Sequence, residues 1–513
     1  MTTQTNTTLL FKTMSNGEYI YDDNSGAIFP VNELLKKAID LYPKYDIDTV
    51  RAKLIKEYPE TYVNGALKFI ERWCQTYGRF CSSPRGKNGL LQNVESFKTE
   101  DIIEQFLHYP TMAKQLILNL TEDCNLRCKY CIYSDNYTYS RKPSKNAMKL
   151  ETGKRAIDYF FKLNEKAAIR NPGKKIAISF YGGEPLLCLS IMDKLIQYAR
   201  ENTPLRINFV MTSNGMLLND EVSDFIVKNN IFFAISLDGN KENHDRNRVT
   251  VTGRGSFDIV NKNIKRFFER HPDYLTQMGF ICVYDWNTDL EAVERFFEEN
   301  HWNVMFADPV APGGQVDNYY DRFTKSERER FFKQEIHMLK RFKNDLENKK
   351  DPALFSKVYF APRFIPLYLH MRAFDKRMNI IPFTVTCLPG TKINVRVDGT
   401  FDICERVNPT MPIGDVKNGL DWHVIANLIR KYNNALGDKC LSCPITKICD
   451  VCFGDGNAMQ NASFLIPVDR CKSLLKYRLG NLSLFYSLLE IDPDAAINWL
   501  GQWFKKPERE YFF

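Results

Sequence analysis

The chain has 513 residues, 44% of them hydrophobic, with 70 basic against 62 acidic side chains and 14 cysteines. That length exceeds one ordinary hydrophobic core, so two to four domains are expected. The net charge of +8 is small and dispersed and gives no footprint for nucleic acid, and the most apolar late stretch, 484–503, is too broken by Glu490, Asp492, Pro493 and Asp494 to span a membrane.

Residues 8–80 read as a small domain. Residues 17–22 alternate as a strand does, Asn24-Ser25-Gly26 is a turn, and 27–31 form a second strand. Three amphipathic helices are expected next. One starts at Asn32 and reaches about Leu41, one is capped by Asp48 and runs through Tyr58, and one covers 60–77. The third carries Val63, Leu67, Phe69, Ile70 and Trp73 on its apolar face. A short sheet followed by three helices resembles the winged-helix-like leader-peptide recognition domain of peptide-modifying enzymes. The resemblance implies strand addition, in which a disordered peptide pairs with an exposed sheet edge. A purely structural cap is the other reading. Residues 81–110 follow as a linker that opens on a polar run.

From 111 to about 310, strand and helix patterns alternate. Strands are expected at 115–120, 176–181, 207–212, 232–237, 278–284 and 302–307, and helices at 151–169, 191–202, 220–229, 257–270 and 288–300. Repeated βα units imply an α/β fold, a parallel sheet with helices outside. Functional groups are then expected at the C-terminal ends of the strands. The first strand runs into Cys124-Asn-Leu-Arg-Cys128-Lys-Tyr130-Cys131, a C-x3-C-x2-C spacing. Three thiolates this close can hold three corners of a cubane [4Fe–4S] cluster and leave the fourth iron open to a small molecule. A zinc knuckle is the competing reading, but zinc prefers paired C-x2-C units and a fourth ligand nearby. The second strand ends in Gly182-Gly183-Glu184-Pro185 and the third in Ser213-Asn214-Gly215. The fourth carries Ser236, then Asp238-Gly239, and His244 to Arg248.

These motifs, in this order, resemble the radical S-adenosylmethionine (SAM) enzymes, whose barrel is an open, partial (β/α)6 one. The resemblance implies that Cys124, Cys128 and Cys131 hold the catalytic cluster. It implies that Gly182, Gly183, Glu184 and Pro185 receive the SAM amino group, with Glu184 as anionic acceptor. Ser213, Asn214, Ser236, Asp238 and Arg248 would contact the rest of SAM, Arg254 rivals Arg248 for its carboxylate, and Tyr130 would pack on adenine. Read alone, Gly-Gly-Glu-Pro is a turn and the others are loop caps or solvated side chains.

Two loops, 134–147 and 309–314, are candidates to cover substrate or to be plain surface. Residues 311–380 read as a helical bridge, whose charged stretch 325–352 is expected to be a solvated spacer. Cys387, Cys404, Cys440, Cys443, Cys449, Cys452 and Cys471 follow, and a helical tail occupies 481–513. The seven cysteines and Gly399-x4-Cys404 resemble the SPASM domain, placed at 381–480, which holds two auxiliary [4Fe–4S] clusters. By that resemblance Cys440, Cys443, Cys449 and Cys471 ligate the distal cluster, and Cys387, Cys404 and Cys452 the proximal one. The spacing departs from the family at Asp450-Val451, two residues where three are usual. No extra cysteine stands about six residues before Cys387, which leaves an open proximal iron able to bind a substrate thiolate. Paired Cys-x2-Cys units also suit zinc. Cys74, Cys81, Cys188 and Cys282 are left as small core residues.

The polar start of the chain lacks a signal-peptide core, so a cytoplasmic location is expected, where many cysteines argue for metal rather than disulfides. Together the resemblances imply SAM and three [4Fe–4S] clusters, one binding SAM and two auxiliary. They imply a 5′-deoxyadenosyl radical that abstracts hydrogen from carbon, and a flavodoxin- or ferredoxin-type electron donor. The expectation is a maturase that binds a ribosomally made, cysteine-containing precursor peptide through its leader. It would form Cys sulfur-to-carbon thioether crosslinks, as in sactipeptides and ranthipeptides, with no nucleic-acid or membrane partner. The alternatives are an anaerobic sulfatase maturase forming formylglycine, a peptide carbon–carbon crosslinking or epimerising enzyme, and a non-catalytic peptide carrier. Tyr284, Asp285 and Asp308 lie at strand ends without an assigned role.

Overall fold

The computed structural model describes residues 8–23, 26–77, 98–100, 103–104, 113–134, 142–170, 173, 175–310, 319–372, 384, 386–407, 409–441, 443–455 and 468–505. Most of the expected linker, Cys81 and parts of both loops lie outside the described residues. Three strands open the chain, β1 (Thr8–Lys12), β2 (Glu18–Asp22) and β3 (Ala27–Pro30), paired antiparallel in that order. Helices Glu33–Leu41, Ile47–Leu54 and Glu60–Tyr77 follow. β1 was not expected from sequence: its five residues carry too short an alternation, and its buried Leu9 and Phe11 face the main core. The second helix is capped by Asp46, not Asp48. Asp46 accepts Thr49 N–H at 2.9 Å. The helix ends four residues before Tyr58, whose N–H closes the following turn on Leu54 O at 3.0 Å. Ile20, Leu34, Ala38, Val50, Val63, Leu67 and Ile70 bury one another, and Phe29, Phe69 and Trp73 form a ring trio with centroids 5.4 to 5.9 Å apart.

The main sheet has ten strands in the order β13-β12-β11-β10-β4-β5-β6-β7-β8-β9. The six parallel strands are β4 (Gln115–Thr121), β5 (Lys175–Gly182), β6 (Arg206–Ser213), β7 (Phe232–Ser236), β8 (Met278–Tyr284) and β9 (Val304–Pro309). Helices Leu150–Arg170, Leu189–Glu201, Asp220–Lys228, Phe257–Arg270 and Leu290–Glu299 alternate with them. Every residue of β4 is buried, as a parallel strand covered on both faces must be. A short helix, Lys241–Asn247, was missed because its sequence is wholly polar. The cysteine-rich region adds β10 (Lys392–Val395), β11 (Thr400–Asp402), β12 (Pro412–Asp415) and β13 (Gly419–Leu420). β10 runs parallel beside β4 and the other three return antiparallel, so the sheet continues across the open edge of the barrel.

The charged stretch is not a solvated spacer. Helix Lys325–Glu347 buries Phe331, Met338, Leu339, Phe342 and Leu346 along one face, and only its other face is charged. Of the leftover cysteines, Cys282 is fully buried and Cys188 half-buried, while Cys74 is disulfide-bonded rather than a free core thiol.

The N-terminal sheet docks on the late helix Val468–Leu489. Phe11 and Tyr19 pack on Tyr486, with ring centroids 5.4 and 5.0 Å away. Glu490 accepts from Thr13 Oγ1 at 3.0 Å and from Tyr19 OH at 2.9 Å. The buried Asp23 carboxylate accepts Lys447 N–H at 2.8 Å, inside the second cysteine set. Among the described residues no helix is long and apolar enough to cross a membrane.

Candidate functional site

The loop carrying Cys124, Cys128 and Cys131 leaves β4 at its C-terminal end and is tied to the ends of three further strands. Gly183 N–H donates to Thr121 O at 2.7 Å and Glu184 N–H to Asp123 O at 2.9 Å, binding the loop to the end of β5. Asn214, after β6, donates through Nδ2 to Asn125 Oδ1 at 2.7 Å and to Cys124 Sγ at 3.7 Å. Arg127 N–H and Lys129 N–H donate to the carbonyls of Val249 and Asn247, at 2.7 and 3.0 Å, in the segment after β7. The glycines serve this contact. A side chain on Gly183 would collide with Asp123 O, and one on Gly182, at φ +134°, with Thr121 O.

Burial pushes the Cys124 and Cys128 thiols up to about 12 and Cys131 up to about 11, and each is raised further by a neighbouring thiol of the three. Such thiols stay neutral until a metal displaces their protons. Leu126 N–H and Tyr133 N–H each point at a sulfur, Cys124 and Cys131, at 3.4 Å. These donors suit thiolates. The set therefore fits an iron–sulfur cluster, which these three residues would hold. Among the described residues no three His, Cys, Asp or Glu side chains converge on a single ion; in a cubane each thiolate binds its own iron.

Glu184 is buried and accepts three hydrogen bonds. It accepts Ser213 Oγ–H and Asn214 N–H, both at 2.8 Å, and Leu186 N–H at 3.1 Å. Its carboxylate thus ties the ends of β5 and β6 together, a role the sequence did not suggest. Desolvation raises its pKa from 4.5 to about 7, against the three donors that lower it. A carboxyl with a raised folded-state pKa holds its proton more tightly when folded. Its effect on stability is absent below pH 4.5, grows unfavourable as pH rises to about 7, and is constant above. The SAM-free protein is therefore expected to lose up to about 3 kcal/mol across that window. Denaturation of wild type and Glu184→Gln between pH 4.5 and 8 checks this, the variant giving the flatter profile.

Buried Asp238 and Arg248 form one network with the half-buried Tyr130. Asp238 Oδ2 accepts from Arg248 Nε at 2.9 Å and Tyr130 OH at 2.6 Å, and its Oδ1 accepts Val283 N–H at 2.9 Å. The guanidinium lies 5.3 Å from the Tyr130 ring centroid. Arg248 is 6% exposed, whereas its rival Arg254 lies in the open. Ser236 is half-buried at the end of β7. Two positioning residues escaped the sequence reading. Desolvation lowers His244 to about 4, so it is neutral. Its Nδ1 accepts Asp238 N–H at 3.4 Å, which leaves Nε2 to donate to Ser256 Oγ at 2.9 Å. Ser256 passes this on to Arg248 O at 2.8 Å. The four-residue spacing of His244 and Arg248 was the available signal. Asp285 is an internal counter-ion, accepting from Arg246 at 2.6 Å, Tyr319 at 2.8 Å and Asn247 at 3.2 Å.

The second cysteine set falls into two groups. Cys440 ends helix Trp422–Leu441, and Thr446 Oγ1 reaches the carbonyls of Cys440 and Cys443 at 3.1 Å each. Burial raises Cys449, and Cys440 and Cys443 lie close enough to add to it. Elsewhere, burial pushes Cys404 up to about 12, with Glu405 and the exposed Cys387 adding. Gly454 N–H donates to Cys452 Sγ at 3.3 Å, and a Cβ on Gly454 would stand 3.8 Å from Arg406 O, which brings the Cys452 turn beside that of Cys404. Cys471 is half-buried on helix Val468–Leu489. Buried Arg478, seven residues on, pairs with Asp450 between Cys449 and Cys452.

Residues 118–296 match the family model described as the Radical SAM superfamily. A cysteine-type anaerobic sulfatase-maturating enzyme of Clostridium novyi (strain NT) is 28% identical over 195 residues, 37% of this chain and 49% of that protein. The radical SAM cyclopropyl synthase TigE of Paramaledivibacter caminithermalis is 28% identical over 157 residues, 30% of this chain and 32% of that protein. The chain thus spans about half or less of the length of these curated relatives. Native anSMEcpe with bound AdoMet superposes with a TM-score of 0.54 at 19% identity, covering 75% of this chain and 99% of the other, a likeness of fold.

Proposed function

From a chain that carries a radical SAM domain in a mixed α/β fold, one matched by SPASM-type enzymes of that superfamily, we propose a maturase of a ribosomally made, cysteine-containing precursor peptide. It joins a cysteine sulfur to a carbon of the same peptide. The observation that carries this reading is the seating of the N-terminal sheet beside the second cysteine set, through Asp23 to Lys447 N–H, with Glu490 after the helix Val468–Leu489 holding Thr13. A leader paired with that small domain is thereby delivered close to the C-terminal cysteines.

SAM and its cluster supply the hydrogen-abstracting radical when bound. The chain's own residues do the rest. Glu184 and Asn214 hold the first cysteine loop, and the Asp238–Arg248 pair lines the end of β7. Cys387, Cys404 and Cys452, with Cys440, Cys443, Cys449 and Cys471, would hold two auxiliary clusters. A crosslink removes a hydrogen atom from carbon, and a proton and an electron from the thiol side. Auxiliary clusters held by those cysteines would offer an acceptor for that electron, and a flavodoxin- or ferredoxin-type donor would supply the reducing electron. The Phe29–Phe69–Trp73 trio packs on the small domain's core and would hold the sheet with which the leader pairs.

Anaerobic co-expression with a short cysteine-containing peptide encoded beside the gene tests the reading. The expected product lacks two hydrogens per modified cysteine and resists thiol alkylation. Trp73→Ala should sharply lower crosslinking of the leader-bearing peptide while SAM cleavage continues. Deleting the whole N-terminal domain is a poorer test, because Leu9, Phe11 and Tyr21 belong to the main core. Formylglycine formation is the second reading, favoured by the likeness to sulfatase-maturating enzymes. It predicts a hydrazide-reactive aldehyde in place of the crosslink.

A further inference from the structure

A chain of buried polar side chains runs from one cysteine set to the other. It starts at Tyr133, two residues after Cys131, whose hydroxyl donates to Asn119 Oδ1 at 3.1 Å. Asn119 Nδ2 donates to Asn394 Oδ1 at 2.8 Å and to Val395 O at 3.1 Å. Asn394 Nδ2 donates to Asp402 Oδ2 at 3.3 Å. Asp402, two residues before Cys404, is paired with Arg396 Nε at 2.9 Å. Asn394 and Asp402 are completely buried, Asn119 is 3% exposed and Tyr133 6%.

The direction of every bond follows from chemistry. Val395 O can only accept, so Asn119 turns its NH2 that way and its oxygen toward Tyr133. The Asp402 carboxylate can only accept, so Asn394 turns its NH2 to it and its oxygen to Asn119. All donors then point toward the one charged acceptor, and the bonds reinforce one another. The path crosses from β4 to β10 where the two halves of the sheet join, 275 residues apart in sequence. Apolar side chains would have filled these positions without the desolvation of four polar groups. An equally buried apolar seam would hold the two strands together but would not specify one register so tightly.

We propose that Tyr133, Asn119, Asn394 and Asp402 are positioning residues that set the separation and orientation of the Cys404 site relative to the Cys131 site. The peptide carbon would meet its radical at the Cys131 site, and the sulfur that attacks it would be held at the Cys404 site. The bridge rests on the thioether-forming reading above. Its part in that reaction is to keep carbon and sulfur within bonding reach, a place where small displacements cost up to about 100-fold in rate.

The test is Asn394→Leu in the full-length, cluster-loaded protein. Asn119 keeps Val395 O and Asp402 keeps Arg396, so neither is stranded by the change. The readout is crosslink formed per 5′-deoxyadenosine released. SAM cleavage should persist while that ratio falls up to about 100-fold. Tyr133→Phe breaks the same chain elsewhere, so the double variant should be no worse than the poorer single. A ratio that stays at wild type, or losses that multiply in the double variant, would overturn the bridge. If the wild type forms no crosslink, the maturase reading fails on its own. The bridge is then judged by pulsed dipolar EPR between the clusters of the two cysteine sets. A broader distance distribution in Asn394→Leu supports it, and an unchanged one rejects it.

Discussion

Changing Cys124, Cys128 and Cys131 together to alanine is expected to abolish reductive SAM cleavage and to remove about four irons per chain, one cubane. The three half-buried cysteines share one loop, and backbone N–H groups point at two of the sulfurs. The loop itself should survive. It is held by the backbone bonds to Thr121, Asp123, Asn247 and Val249 and by Asn214 to Asn125, none of which needs a thiol. The C-terminal cysteines lie on other elements, so iron bound there should remain. Iron and sulfide assays with 5′-deoxyadenosine quantitation decide the matter. Residual cleavage at more than a trace, or full iron content, would show that this loop is not the SAM-cluster site.

Asp238→Ala is expected to cost about 3–5 kcal/mol, the usual penalty for leaving a buried charge without its partner. Arg248 would lose its counter-ion and Tyr130 its acceptor, both inside the protein, and Val283 N–H would lose its acceptor as well. Asp238→Asn keeps the shape but halves the acceptor capacity and removes the charge, so it should fall between wild type and alanine. Urea denaturation under anaerobic conditions measures the loss, and calorimetric titration measures SAM affinity alongside it. A loss below about 1 kcal/mol, the size of an exposed ion pair, would mean that solvent reaches Arg248 and that the network is looser than described. Affinity for SAM should fall even in the asparagine variant if Arg248 presents itself to the ligand from this pair.

The six parallel strands were readable because each is a short apolar run followed by a polar turn, and the helices between them repeat their apolar residues at helical spacing. The C-x3-C-x2-C spacing was readable because its three cysteines lie within eight residues on one loop. β1 was not, since five residues carry too little pattern and its apolar face is completed by Tyr486, more than four hundred residues away. The helix Lys241–Asn247 was not, because it is stabilised by its neighbours rather than by an apolar stripe. The glycines before Glu184 read as ligand-facing, and their close approach to the cysteine loop carried no sequence signal.

What the sequence determined by itself is what local chemistry and period encode: the βα alternation, the thiol clusters, the small residues at the strand ends. What only the tertiary structure decided is which buried polar groups share a partner. Asp238 with Arg248, Glu184 with Asn214, and Tyr133 through Asn119 and Asn394 to Asp402 each join segments whose separation in sequence carries no periodic signal. A buried donor leaves a requirement for an acceptor but no mark of where along the chain that acceptor lies. The same holds for β10, which pairs with β4 through backbone bonds that any apolar strand could have offered. Beside it Asn394 meets Asn119, and a fit of that kind exists only once the chain has folded.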